Sequence, residues 1–167
     1  MSERASKSAP ETRDYFAEMY VAGKLADAGW NVYFPRRDKG FDFIITKSVG
    51  NRFLMRPVQV KGKYPERGTK DRVGHGYNGR LTELHDEMVL AIAFFAAAER
   101  DEPPLHVAYV PRTFLKKTPR GYRCSPANLK SGRPTPRREY KPLFDQAGLA
   151  ALERANWSSL QPPPTPE

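Results

Sequence analysis

The stretch from Phe41 to Lys63 constrains the fold of this chain more than any other part of it. Two apolar runs rich in β-branched and aromatic residues flank a turn at Val49-Gly50-Asn51. This pattern predicts a β-hairpin. Pro57 stands inside the second run. It has no backbone N–H to donate to a ladder, so we expect either a bulge or an unpaired edge at that position.

Polar side chains interrupt the predicted hairpin where buried strands would carry apolar ones. Asp42 opens the first strand, and Gln59 and Lys61 stand two residues apart in the second. Residues at this spacing share one face of a strand. If the register allows, a carboxylate, an amide and an amine converge on one point. Such a cluster indicates a catalytic site at this end of the hairpin. The structural alternatives are that Asp42 only caps a turn and that Lys61 only extends its charged end into solvent from the end of a strand.

An amphipathic helix is predicted ahead of the hairpin, from Thr12 as N-cap to Gly29 as C-cap. Glu18 falls within the arc that carries the buried residues, and a carboxylate in that position needs a partner. One such partner is a metal ion. The alternative is a structural ion pair with Arg36, Arg37 or Lys61.

The rest of the chain supplies further strands and a long connection. A short strand is expected at 31–35. From Gly62 to Leu84 the chain is rich in Gly, Lys and Arg without periodicity, which predicts a long functional loop with a short helix near Leu81–His85. The continuous apolar run at 88–96 favours a buried strand over a buried helix, and residues 105–110 alternate into another strand.

Residues 111–142 are strongly basic and rich in proline. Glu139 is the single acid in this segment, and Tyr122 and Tyr140 lie among its cations. Prolines are expected to break up regular structure here. Such a segment is suited to following a phosphate backbone, with a merely solvated face as the alternative.

Composition narrows the function classes. The chain has 167 residues, a formal net charge of +9 and a pI of about 9.8, and soluble chains this basic usually meet a polyanion such as nucleic acid. Cys124 is the only cysteine, which excludes an intramolecular disulfide and a Cys zinc cluster. No apolar run approaches a membrane span, and the polar N-terminus lacks a signal-peptide core. We therefore expect a cytoplasmic protein without a membrane partner.

The helical Glu18, Asp42 after a glycine, and the run Gln59-Val60-Lys61 together resemble the PD-(D/E)XK nuclease superfamily. The Gln-X-Lys form is similar to that of the group I intron homing endonuclease branch, and the helical glutamate is similar to that of archaeal Holliday-junction resolvases. The resemblance implies an α/β fold with a restriction-endonuclease-like αβββαβ core, in which helices flank a mixed central sheet. It also implies a metal-dependent deoxyribonuclease, an endonuclease that hydrolyses DNA phosphodiester bonds.

The resemblance also implies residue roles. Glu18 and Asp42 would bind Mg²⁺, with Mn²⁺ as a substitute, joined by the backbone carbonyl of Val60. Lys61 would be the catalytic amine, and Gln59 replaces the commoner acid of the family. An amide oxygen is a neutral and weaker ligand. The alternative is therefore a catalytically inactive nuclease-fold protein that binds nucleic acid or serves as an interaction subunit of a defence or recombination complex.

DNA is the expected partner, and a homodimer is expected because nucleases of this kind often pair two active sites. Cations on the predicted loops would contact the DNA backbone: Lys63, Arg67, Lys70, Arg72, Arg80, Lys116, Lys117 and Arg120. His75 is expected to be a solvated loop residue, with a phosphate contact as the alternative.

The chain divides accordingly into four parts. They are a disordered N-terminus (1–11), a nuclease-like core (12–111), a basic C-terminal extension packed on that core (112–157) and a Pro-rich tail (158–167).

Overall fold

A computed structural model describes residues 11–37, 40–65, 68, 70–81, 84–96 and 102–164. The helices are α1 (Glu11–Asp27) and α2 (Asp145–Ala151), and short 3₁₀ helices occupy Arg112–Phe114, Arg138–Leu143 and Trp157–Ser159. The strands are β1 (Asn31–Tyr33), β2 (Phe43–Val49), β3 (Arg52–Lys63), β4 (Arg72–Gly79), β5 (Val89–Phe94), β6 (His106–Pro111), β7 (Lys116–Thr118), β8 (Gly121–Lys130) and β9 (Arg133–Pro136).

The predicted first helix is confirmed, although it begins at Glu11 and therefore contains Thr12, the predicted N-cap. It ends as its sequence indicates. Gly29 adopts a φ of +90°. Its N–H donates to the Ala26 carbonyl at 3.0 Å, and the Trp30 N–H reaches back to the Leu25 carbonyl at 3.0 Å. These two bonds form a Schellman motif, which requires the left-handed conformation that glycine adopts readily. The chain therefore turns sharply from α1 into β1.

The central sheet has five strands in the order β1-β2-β3-β5-β6. β2 is antiparallel to β1 and β3, β3 and β5 are parallel, and β6 is antiparallel to β5. The predicted hairpin is confirmed, with Val49 opposite Arg52 at the turn and Phe43 opposite Val58 at the far end. The strands expected at 31–35, 88–96 and 105–110 are also present. The protein is thus mixed α/β with a central sheet of mixed orientation.

Pro57 lies in unbroken register opposite Ile44, so the hairpin has no bulge at this position. β5 first pairs with β3 at Val58. Pro57 therefore sits just before β3 gains its second neighbour, where one edge of the strand is still open. The alternative of an unpaired edge is the one that the structure adopts.

The two helices pack on one face of the central sheet. A Cβ placed on Gly62 of β3 would lie 3.3 Å from the Cβ of Ala17 in α1. On α2, Gly148 lies against the ring of Tyr109 in β6. Asp145 ties the start of α2 to the edge of β6, because its Oδ1 accepts the Val107 N–H at 2.9 Å. Residues of β3, β5 and β6 facing the helices form much of the core.

A second sheet covers part of the opposite face. It contains β4, β8 and β7 in that order, with β9 also paired to β8. The His75 ring of β4 lies 5.7 Å from the ring of Phe94 in β5, and Cys124 and Ala127 of β8 are buried. The sheet therefore includes strands from both sides of residue 111.

Two sequence predictions are wrong in this region. Residues 62–84 were expected to form a loop, but they include β4. Of the segment Leu81–His85, the described residues 81, 84 and 85 are not helical. The crossover from β3 to β5 thus carries a strand where the family resemblance implies a helix. The sequence of β4 is rich in glycine and does not alternate between apolar and polar residues, so it does not predict a strand. The pairing of β4 with β8 is irregular, with register shifts around His75, and such a strand does not need strict alternation.

Prolines do not break up residues 111–142 as expected, because they lie where a sheet tolerates them. Pro134 and Pro136 lie in β9, which pairs only with β8 and is therefore an edge. Pro126 lies in β8 beside the register shift that separates the partners of His75 and Tyr77. The strand remains ten residues long despite the proline.

Arg56 of β3 joins the C-terminal segment to the sheet. It is only 1% exposed, and its guanidinium donates to the Leu152 carbonyl at 2.9 Å and to the Arg154 carbonyl at 3.0 Å. It also pairs with Glu87 and lies 5.6 Å from the ring of Trp157. Burial lowers the pKa of Arg56, and the neighbouring carboxylate opposes that shift.

Within the part of the chain that the structure describes, no helix has the length and apolar character needed to cross a membrane. The predicted disordered N-terminus lies almost wholly outside the described residues, and so does the end of the Pro-rich tail after 164.

Candidate functional site

Asp42 is fixed against β3 by two hydrogen bonds. Its backbone N–H donates to the Val58 carbonyl at 2.9 Å. Its Oδ2 accepts the backbone N–H of Val60 at 2.6 Å. A bond from an N–H to an ionised carboxylate is shorter and stronger than a neutral one. The carboxylate of Asp42 is therefore held beside the residue that precedes Lys61.

The carbonyl of Val60 faces the same corner. The backbone N–H and C=O of a strand residue point toward the same neighbouring strand. Since the Val60 N–H points at Asp42, its carbonyl also points to the β2 side. The last paired residue of β2 is Phe43, opposite Val58. The Val60 carbonyl and the Asp42 carboxylate therefore occupy one corner at the end of the β2–β3 ladder.

Gln59 contributes its side chain to the corner from the neighbouring position. It is 5% exposed, and its Nε2 donates to the carbonyl of Gly40. This bond holds the chain immediately before Asp42. The expected convergence of Asp42 with Gln59 is therefore present, and the amide positions the loop that presents the carboxylate.

Lys61 lies on the face of β3 that the second sheet covers. Its Nζ is 5.7 Å from the ring centroid of Tyr77 in β4, a cation–π distance. The hydroxyl of Tyr77 donates to the Arg80 carbonyl at 2.6 Å, which fixes the ring, and burial raises the pKa of Tyr77. The second sheet thus orients the predicted catalytic amine, which sequence reasoning did not anticipate.

Glu18 approaches β3 from the helix side. It is half-buried on α1, next to Ala17, which packs at Gly62. Val60 and Gly62 face α1, whereas Lys61 faces β4. The structure therefore brings Asp42, Gln59 and Val60 together, while Glu18 and Lys61 lie on opposite faces of the same strand.

The donor set of the corner is compatible with a hard divalent cation. Asp42 supplies a carboxylate and Val60 a backbone carbonyl, and Mg²⁺ typically takes one or two carboxylates together with waters and substrate phosphate. Among the described residues, no three His, Cys, Asp or Glu side chains group closely enough to hold a metal ion. A cation here would be held with few charged ligands and would depend on substrate phosphate for the rest.

A cationic cluster lies beside the corner, where β3 meets β4. Lys63 ends β3, and Arg72 and His75 face it from β4. Burial lowers the pKa of His75 to about 4, and the charges of Lys63 and Arg72 act in the same direction. Burial and the charge of Arg72 likewise lower the pKa of Lys63.

The expectation that His75 is a solvated loop residue is wrong. Its side chain is 4% exposed, and within the described residues its Nε2 has no hydrogen-bond partner. The residue is buried because β4 places it between the two sheets, against Phe94. Because the sequence pattern did not predict β4, it also did not predict that His75 is buried.

The remaining predicted DNA contacts are exposed cations. These are Lys70, Arg72 and Arg80 on and around β4, and Lys116, Lys117 and Arg120 on the β7–β8 hairpin. Arg67 lies outside the described residues. Arg123, an exposed β8 residue directly opposite Lys116, belongs to the predicted basic segment but was not among the individually predicted contacts.

Comparison of the chain with protein-family models, with curated proteins and with solved structures found no significant match in any of the three.

Proposed function

We propose that this protein is a Mg²⁺-dependent endonuclease that hydrolyses the phosphodiester bonds of DNA. The observation that carries the proposal is the contact between Asp42 and the backbone of Val60. It sets a carboxylate and a carbonyl oxygen just beyond the end of the β2–β3 ladder, at the residue before Lys61. Hydrolysis of a phosphodiester needs a metal ion and a positive group that stabilises the negative charge of the transition state. Two oxygen donors can hold the metal ion, and a lysine amine can supply the positive group.

The strand order supports the proposal. A helix, three antiparallel strands, a parallel crossover and a final antiparallel strand follow one another as α1, β1, β2, β3, β5 and β6. The αβββαβ core that the resemblance implies begins in the same way, but β6 is an additional strand here, and the described residues of the crossover form no helix. In this chain β4 takes that place and provides Tyr77 beside Lys61.

Each residue of the corner has a role in the proposed reaction. Asp42 and the Val60 carbonyl hold Mg²⁺, which when bound supplies Lewis-acid stabilisation and a more acidic water. Gln59 holds the loop of Asp42 in place through Gly40. Lys61 stabilises the negative charge that develops on the phosphoryl oxygens. Glu18 is a further carboxylate on the helix side of β3.

Charge supports nucleic acid as the substrate. The exposed cations on and beside the second sheet, among them Arg80, Lys116 and Arg123, are not part of any ion pair between described residues. Neutralising phosphates with such residues releases counterions, which drives binding at low salt.

The test is cleavage of DNA with and without Mg²⁺ by wild-type protein, Asp42→Asn and Asp27→Asn. Asp27 is an exposed carboxylate at the end of α1, so its substitution is a matched control for charge. We expect Asp42→Asn to bind DNA but lose cleavage, and Asp27→Asn to cut as wild type does. Metal-dependent cleavage by purified Asp42→Asn would refute the assignment.

A second candidate is a nuclease-like protein that binds nucleic acid without cutting it. The observation that favours it is the amide of Gln59, which donates to Gly40 where the family commonly has a metal-binding acid. Calorimetry with millimolar Mg²⁺ or Mn²⁺ separates the two candidates. Intact DNA binding without metal binding or cleavage supports the second.

A further inference from the structure

Exposed aromatic side chains lie around the end of the central sheet at which the corner is found. Tyr15 is 62% exposed, Phe16 41%, Tyr33 55% and Phe34 52%. We call these four residues the aromatic rim. The other large hydrophobic side chains that are exposed among the described residues lie in the first half of β3 or on β4. Most of the exposed aromatic rings are therefore close to the candidate site.

Strand β1 places two residues of the aromatic rim beside the corner. Tyr33 is the last residue of β1. Phe34 follows it, and its ring lies 5.5 Å from that of Phe43, the residue after Asp42. Pro35 favours an extended backbone at Phe34, and successive residues of an extended chain point to opposite faces of a sheet. Since β1 is an edge of the central sheet, the two rings flank that edge on both faces.

Helix α1 places the other two residues of the aromatic rim. Its first half lies at the same end of the sheet, because it packs at Gly62 near the end of β3. The ring of Phe16 lies 6.0 Å from that of Phe95 and is still partly exposed. Tyr15 precedes Glu18 by three residues, so the two share one side of the helix. The aromatic rim thus borders the corner from the helix as well as from the sheet edge.

Cations accompany the aromatic rim. Arg36 and Arg37 are exposed and follow Phe34 in the connection to β2, and Lys63 ends β3 at the same end of the sheet. Exposed rings combined with cations suit single-stranded nucleic acid, because the cations contact its phosphates and the rings stack on its bases. Duplex DNA gains little from such rings, since its base faces are already stacked on one another. An apolar protein partner gains nothing from the cations.

We infer that the aromatic rim stacks on unpaired bases, and that the DNA bound at the corner is a single strand or the single-stranded part of a branched molecule. Cleavage of that strand, and its being DNA, rest on the proposed function, whereas stacking on a single strand does not. A surface with cations alone would favour duplex DNA, which carries roughly one charge per 1.7 Å of its axis. A preference for single strands therefore distinguishes stacking from charge.

Fluorescence anisotropy in the presence of EDTA tests this preference, because neither DNA is cut without a divalent metal. The two ligands are a mixed-sequence strand of roughly 20 nucleotides, longer than a typical single-strand site, and the duplex of the same sequence. We expect the wild-type protein to bind the strand at least about fivefold more tightly than the duplex at equal salt. A duplex bound as tightly as the strand overturns the inference.

The variant Phe34→Leu isolates the contribution of one ring, because leucine still covers Phe43. We expect its affinity for the strand to fall roughly tenfold and its affinity for the duplex to change little. Phe34→Trp keeps a stacking surface and should bind the strand as wild type does. Phe53→Leu is the matched control, because Phe53 is 66% exposed and lies opposite Ser48 near the hairpin turn, away from the corner.

Strand affinity that is unchanged in Phe34→Leu, or that falls equally in Phe53→Leu, also overturns the inference. Unchanged affinity would assign the ring to packing on Phe43 or to a protein partner. An RNA strand of the same sequence distinguishes the two sources of unpaired bases, and tighter binding of the RNA would overturn DNA as the ligand. None of these measurements depends on cleavage, so a nuclease proposal refuted by Asp42→Asn leaves the strand preference to be judged separately.

Discussion

The carboxylate of Asp42 accepts the backbone N–H of Val60 at 2.6 Å, which joins the first residue before β2 to the residue before Lys61. The contact explains why a polar residue occupies the start of a buried strand. The β2–β3 ladder ends beyond the pair of Phe43 and Val58. There the side chain of Asp42, in place of a backbone carbonyl, accepts the N–H of Val60. The same contact directs the Val60 carbonyl to the corner.

Removing the amine of Lys61 should separate binding from cleavage. We expect Lys61→Met to lower the cleavage rate by roughly 10²- to 10³-fold, because a positive group aimed at developing charge is lost. DNA affinity should change by less than a factor of ten, since many other cations remain. Single-turnover cleavage and anisotropy measured on the same DNA provide the two quantities.

The matched control for Lys61 is Lys24→Met. Lys24 of α1 also lies 5.7 Å from a tyrosine ring, that of Tyr20, but on the helix side of the sheet. Unchanged cleavage is expected. Equal losses in both lysine variants would show that the effect reflects overall charge and not the position of Lys61.

The salt dependence of DNA binding should identify the second sheet as part of the interface. Lys116 and Arg123 are like charges directly opposite each other, an arrangement that destabilises a sheet unless an anion lies between them. Replacing both with glutamine should reduce the slope of log K against log salt by roughly 2, since each lost phosphate contact contributes about 0.9.

Lys24→Gln with Arg154→Gln is the matched double variant for that measurement. It removes the same total charge from exposed positions on the helix side. Its slope should stay near that of the wild type. A common decrease in both double variants would place the DNA elsewhere on the surface.

Arg56→Met should destabilise the fold by about 3 kcal/mol, because it leaves the carbonyls of Leu152 and Arg154 without their donor and Glu87 without its partner. Urea unfolding monitored by the fluorescence of the two tryptophans, Trp30 and Trp157, measures the change. Arg154→Met, whose side chain is exposed, should alter stability by less than about 0.5 kcal/mol. A loss for Arg56→Met as small as that of the control would contradict the anchoring role.

His75 should make stability depend on pH in the acidic range. The pKa of His75 is lowered to about 4 in the folded protein, below the ordinary value near 6.5, so the unfolded chain binds the proton first. Its contribution is therefore complete above pH 6.5 and is lost as the pH falls toward 4. Over the full range the effect is about 3 kcal/mol at 1.36 kcal/mol per pH unit.

His75→Phe should remove this dependence, because the phenyl ring fills the same space beside Phe94 and does not titrate. Urea unfolding at pH 7 and at pH 4.5 should show a larger loss for the wild type than for the variant. Carboxylates contribute equally to both proteins, so the difference isolates His75. Parallel losses in the two proteins would contradict the lowered pKa of His75.

The local elements with clear periodicity were predictable from the sequence. The hairpin, α1 with its Gly29 cap, and strands β1, β5 and β6 all appear as expected, because apolar spacing, turn residues or, for β5, a short continuous run of β-branched and aromatic residues identify them. Strands β4 and β8 were not predictable, since glycines, prolines and a bulge obscure the alternation of apolar and polar residues. The missed strands account for the wrong expectations about His75 and about the crossover between β3 and β5.

The sequence by itself determined the hairpin, the alternation of Gln59 with Lys61 and the position of Asp42, because each follows from a repeat or turn only a few residues long. Tertiary structure alone decided which groups meet. The β2–β3 register set Asp42 against Val60, and the pairing of β4 with the distant β8 set Tyr77 beside Lys61 and buried His75. Contacts between segments far apart in the chain depend on register and packing, which local sequence patterns do not encode.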